Sequence, residues 1–124
     1  MKSFNPFPCR TNDAVLMVSS YNDGEITGWL VHSRLESPQR IRSVPQLLFK
    51  LDEFLQSDEK PVIYHAFEPT RYENIQRIAT LRIQILFQDH YTWQGCVLWE
   101  DRHIEMTFHS VLELIQILDE ILVE

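Results

Sequence analysis

Basic residues are the scarcest charge here: 11 lysines and arginines stand against 18 aspartates and glutamates in 124 residues, a formal net charge of -7. Such a field repels phosphate, and proteins that bind nucleic acid draw most of their nonspecific affinity from cationic side chains. Nucleic acid is therefore a disfavoured partner. Only two cysteines occur, Cys9 and Cys96; they make no C-x-x-C pair, and a reducing compartment keeps both as thiols. The opening stretch, "MKSFNPFPCRTND", lacks a long apolar run and is broken by Pro6 and Pro8. It reads as neither secretory signal nor membrane anchor, which points to the cytoplasm.

Signatures of chemistry are missing too. No H-E-x-x-H, C-x-x-C or glycine-rich phosphate loop is present, so no metal and no cofactor is expected. The five histidines are His32, His65, His90, His103 and His109. On an extended strand, His103 and His109 would lie about 20 Å apart, too far to share a metal. Cys96 beside His90 or His103 has no helix N-terminus or cation to lower its pKa, so it reads as a small apolar filler rather than a nucleophile. The adjacent pairs Asp52-Glu53 and Asp119-Glu120 point about 100 degrees apart on a helix, as solvated faces do. Nothing here reads as an enzyme.

What is present is a fold. At 44% hydrophobic residues the chain has the composition of a globular protein, and its length suits one domain spanning residues 1–124. Sliding it by 67 residues aligns Ala14–Leu55 with Leu81–Leu122 without a gap, pairing Gly28 with Gly95, Ser43 with Ser110, Val44 with Val111 and Asp52-Glu53 with Asp119-Glu120.

Each half reads alike. Leu81, Ile83, Ile85 and Phe87 alternate with polar Arg82, Gln84 and Gln88, the period of a half-buried strand. "YNDGE" then carries an Asp-Gly hairpin signal, and "QDHYT" holds its place in the second half. The return strands "ITGWLVHS" and "WQGCVLWE" each contain one interior glycine, which suggests a bulge or a close neighbour. A shorter third strand follows, clear in "IEMTF" and weak in "QRIR". Ser43 and Ser110 then stand at helix N-caps, with Gln46 and Glu113 placed to complete capping boxes. The apolar stripes expected are Val44, Leu47, Leu48, Leu51 and Leu55, and Val111, Leu114, Ile115, Leu118 and Leu122.

The fold expected is α+β: duplicated βββα units, residues 14–55 and 81–122, sharing one mainly antiparallel sheet with two helices packed on one face. Residues 56–80 form the connector, in which "PVIYHAF" suggests a further strand and "RYENIQRIA" a short helical turn or loop.

Residues Ala79–Leu122 also resemble a family of short uncharacterised Firmicutes proteins. The likeness rests on Phe87, Trp93-Gln94-Gly95, Trp99, Phe108-His109-Ser110 and Leu112-Glu113-Leu114-Ile115. His109 departs from the arginine of that pattern, and Asp89-His90 from its Gln-Asn. The resemblance implies no activity. In pattern alone, the β-meander with a Ser-capped helix is similar to HicB-like antitoxin domains, without their glycine and proline spacing.

Trp93, Val97 and Trp99 share one face of their strand, and Ile26, Leu30 and His32 hold the equivalent positions of the first half. Cys96, Leu98, Trp29 and Val31 make the opposite face apolar as well. Two helices cover one face only, which leaves the connector, a second copy or a partner to cover the other. Trp93, Val97, Trp99, Leu30 and His32 are thus expected to line an interaction surface of a homodimer or a protein complex. An antitoxin-like or ligand-sensing domain is the rival expectation.

Overall fold

The structure, a computed structural model, describes residues 13–32, 35–56, 74–89 and 92–123. Three strands, β1 (Asp13–Asn22), β2 (Glu25–Val31) and β3 (Gln39–Ile41), lead into helix α1 (Val44–Gln56). Three more, β4 (Ala79–Asp89), β5 (Thr92–Trp99) and β6 (Ile104–Phe108), lead into α2 (Val111–Leu122). All six strands join one antiparallel sheet in the order β3-β2-β1-β4-β5-β6. The architecture is α+β.

Local chemistry sets the hairpins. Asp23 and Gly24 turn β1 into β2 with φ of 53° and 79°, the left-handed pair that matches the twist of the flanking strands. Halfway along, β1 bulges between Val18 and Ser20, and β4 between Ile85 and Phe87. Each bulge sits against a glycine. A Cβ at Gly28 would collide with the Met17 carbonyl oxygen, and one at Gly95 with the Gln84 carbonyl oxygen. The interior glycines are thus sites of close backbone approach, as their isolation within apolar strands suggested.

Both helices begin on serine caps. The Ser43 hydroxyl accepts from the Gln46 amide at 3.1 Å, and the Ser110 hydroxyl from the Glu113 amide at 3.1 Å. The return bonds land one residue earlier than a standard capping box places them: Gln46 Oε1 accepts from the Arg42 amide and Glu113 Oε1 from the His109 amide, each at 2.7 Å.

The main core lies between the helices and one sheet face, with Leu16, Leu30, Ile41, Leu81, Val97 and Phe108 fully buried there. Each such side chain contributes roughly 1.5–3 kcal/mol by leaving water. The helices meet this face through Leu47, Leu51 and Phe54, and through Leu114, Ile117, Leu118, Ile121 and Leu122. That is a rotation from the expected stripes: Phe54, Ile117 and Ile121 enter the core, while Val44, Leu48, Leu55 and Val111 pack at its margin.

On the opposite face Val15, Met17 and Val31 are buried, with Trp29 and Ile75 packed against them. Ile75 belongs to the connector, which therefore supplies part of that covering. A strand over "PVIYHAF" lies outside the described residues; residues 74–78 form turns and bends, not helix.

Candidate functional site

Rotating the helices onto Leu47, Leu51, Leu114 and Leu118 has a consequence on their flanks. A second column of apolar residues, Val44 and Leu48 on α1 with Val111 and Ile115 on α2, is left facing a groove between the two helices. Pro45, Phe49 and Asp52 complete the wall, buried Trp93 reaches it from the sheet, and the cavity volume is about 370 Å³. Phe49 is 72% exposed at this groove, and Leu112, in the first turn of α2, is 65% exposed. These are the two most exposed large apolar side chains among the described residues. Leaving them in water forgoes burial worth 1.5–3 kcal/mol apiece, on the order of what core side chains contribute.

Charge is distributed unevenly over the two helices, and among the described residues Asp52 is the one charged residue lining the groove. Lys50 is the single base within the helices, against Asp52, Glu53, Glu113, Asp119 and Glu120. Lys50 itself pairs with Glu53 at 3.2 Å. Arginines sit on the sheet and its turns instead: Arg40 lies 5.1 Å from the Trp29 ring, Arg102 lies 5.1 Å from Trp99, and buried Arg82 pairs with Glu100 at 2.9 Å.

A second, open cleft of about 950 Å³ runs along α2, lined by Tyr21, Thr107, His109, Glu113 and Asp119 among others. Two pairs of its polar groups are engaged with each other. The Tyr21 hydroxyl donates to Asp119 Oδ1 at 2.6 Å, and that bond, then burial, then the carboxylate charge push the phenol up to about 12. At the other end the His109 amide, and after it the imidazole, hold the Glu113 carboxyl below its ordinary range.

The residues expected to form an interaction surface are placed otherwise. Leu30, Val97 and Trp93 lie in the core beneath the helices, and Trp99 is half-buried against it. His32 is buried with its ring stacked on Phe54, centroids 3.7 Å apart. The division of β2 and β5 into two faces holds, but this is the face the helices cover. Of the five, Trp93 alone touches the groove. Leu30, Val97, Trp93 and His32 are therefore core, and the two most exposed large apolar side chains among the described residues lie on the helices.

Cys96 is buried on the other face, where its thiol donates to Gln84 Oε1 at 3.5 Å. Cys9, His65 and His90 lie outside the described residues. Among the described residues no group of His, Cys, Asp or Glu could hold a metal ion, and no helix is long and apolar enough to cross a membrane.

A sequence signal for the groove did exist. Phe49 is a large apolar residue outside the main stripe of its helix, where a polar residue would be ordinary. Comparison with protein-family models, curated proteins and solved structures found no match to the chain.

Proposed function

We propose that the chain is a small, non-enzymatic protein-interaction module, acting in the cytoplasm, whose contact surface is the groove between α1 and α2. The observation that carries this reading is Phe49, 72% exposed at the wall of an apolar groove. Aromatic side chains presented this way anchor interfaces, because burial and release of ordered water come together when a partner closes over them. The polar pairs support a non-catalytic reading. Tyr21 with Asp119, Arg82 with Glu100, and His109 with Glu113 each join separate parts of the fold or brace a helix start.

The helix layer is, on this proposal, the product of duplicated βββα units, residues 14–55 and 81–122, folded as one domain. Register supports it. Val15 pairs with Val31 as Arg82 pairs with Leu98, and Gly28 pairs with Ile41 as Gly95 pairs with Phe108, every equivalent 67 residues on. Bulges, buried glycines and serine caps recur at the same offset.

Self-association is a second reading, and β6 favours it. It lies at an edge of the sheet with Ile104 exposed, and an edge strand of five residues presents unpaired backbone groups to a second copy. A photo-crosslinking amino acid placed at position 49, and separately at 104, tests both. A discrete adduct at 49 in cells supports the groove, a chain-sized adduct at 104 supports edge pairing, and no adduct at either position counts against an interaction module.

A further inference from the structure

Resting on the self-association reading above, we propose that β6 of one copy pairs with β6 of a second, antiparallel and centred on Met106, joining two six-stranded sheets into one. The two edges of the sheet occupy equivalent places and are built differently. Ile41 of β3 and Phe108 of β6 each pair with an interior glycine, Gly28 and Gly95, so Arg40 stands where Thr107 does, Gln39 where Met106 does and Pro38 where Glu105 does. At β3 the pairing stops after three residues, Pro38 has no N–H to donate, and exposed Arg40 holds its guanidinium 5.1 Å from the Trp29 ring. Shortness, proline and a cation are devices that keep an edge from pairing. β6 has none of them. It pairs with β5 over five residues, "IEMTF", with Ile104, Glu105 and Thr107 exposed, and among the described residues no strand lies beyond it.

Side chains select the second copy and its register. In an antiparallel pair of identical strands, residues that face each other are symmetric about the centre. Centring on Met106 therefore sets Glu105 across from Thr107 of the second copy, and Ile104 across from Phe108, each pair occurring twice. Glu105 is the one charged residue of β6, and this register keeps its two copies apart, whereas centring on Glu105 opposes like charges. Ile104, 41% exposed, gains an aromatic cross-strand neighbour. A strand that complements itself also closes the assembly, since the outer edges left are the two copies of β3. Pairing β6 with β3 would instead run head to tail without end, and Pro38 and Arg40 oppose it.

Light scattering of the full-length chain at physiological salt, which screens the net charge of -7 on each copy, tests this, with circular dichroism melts confirming that each variant folds. The wild type is expected to be a dimer. Thr107→Glu, at an exposed position, sets carboxylates across from each other twice and should weaken the dimer about tenfold; adding Glu105→Lys to it should restore the affinity. Oxidising a mixture of Glu105→Cys and Thr107→Cys chains is expected to give a 105–107 disulfide by mass spectrometry. A 105–105 disulfide from Glu105→Cys alone, with the dimer still weakened by Thr107→Glu, overturns the register and leaves self-association through β6 standing. A dimer that ignores Thr107→Glu but that Phe49→Ala dissolves overturns β6 pairing and makes the groove the contact between copies. A wild type that stays monomeric at about 1 mM overturns the register and the self-association reading together.

Discussion

Val15 and Arg82 face each other across the central ladder between β1 and β4, and they are 67 residues apart, the offset of the proposed duplication. On that proposal each is paired with its own counterpart. On the proposed duplication an approximate two-fold axis passes through the pair, and α1 and α2 pack on one face of the sheet with the groove between them. Neither half closes a core alone, since β1 and β4 are each other's partners in the middle of the sheet. A chain ending at Gln56 is therefore expected to show no cooperative melting, because it lacks β4, the central partner of β1, and with it half of the residues that close the core. A sharp transition from that fragment would dismantle the shared-core account.

Gly28 and Gly95 lie in apolar strands where a β-branched residue would ordinarily be favoured. Because a Cβ at either position meets a backbone carbonyl rather than a flexible side chain, Gly28→Ala and Gly95→Ala should each lower stability by about 1–3 kcal/mol in urea titrations. Unchanged or higher stability in either variant would show that the bulged neighbour strand yields.

Tyr21 should ionise near pH 12 rather than at the usual 10.0, since its proton bonds the Asp119 carboxylate. The folded pKa is raised, so this contribution to stability is whole below pH 10 and fades as pH climbs toward 12. Ultraviolet titration of the wild type against Tyr21→Phe and Asp119→Asn reads it. A tyrosine lost from the spectrum near pH 10 in Tyr21→Phe would mean that the bond is not held in solution.

Trp93 and Phe49 both border the groove, yet they should respond oppositely to charge. Trp93→Glu places a carboxylate in the core and should abolish the cooperative melt. Phe49→Glu, at an exposed helix position, should stay within about 0.5 kcal/mol of wild type. If Phe49→Glu unfolds as readily, Phe49 belongs to the fold and the groove is not a surface held open.

Much of this fold is legible in the residues. Alternation in Leu81–Phe87, the Asp23-Gly24 turn and the two serine caps locate strands, hairpin and helices because each depends on a few neighbours. The face of the sheet that stays open is not legible in the same way. Trp93, Val97, Leu30 and His32 look like surplus apolar surface when strands are read singly, and which face two helices will cover depends on how the chain crosses after Ile41 and Phe108. The stripes carried a related ambiguity. Val44, Leu47 and Leu48 satisfy one helical period together, and only packing against the sheet decides that Leu47 turns inward while Val44 and Leu48 line a groove.

Hydroxyl-radical footprinting of Phe49 measures occupancy of that groove most directly. With the chain labelled once in cells and once after purification, labelling of Phe49 is expected to fall severalfold in cells while Ile78, exposed away from the helices, labels alike in both. Equal labelling of Phe49 in the two settings would contradict the proposal that a partner covers it.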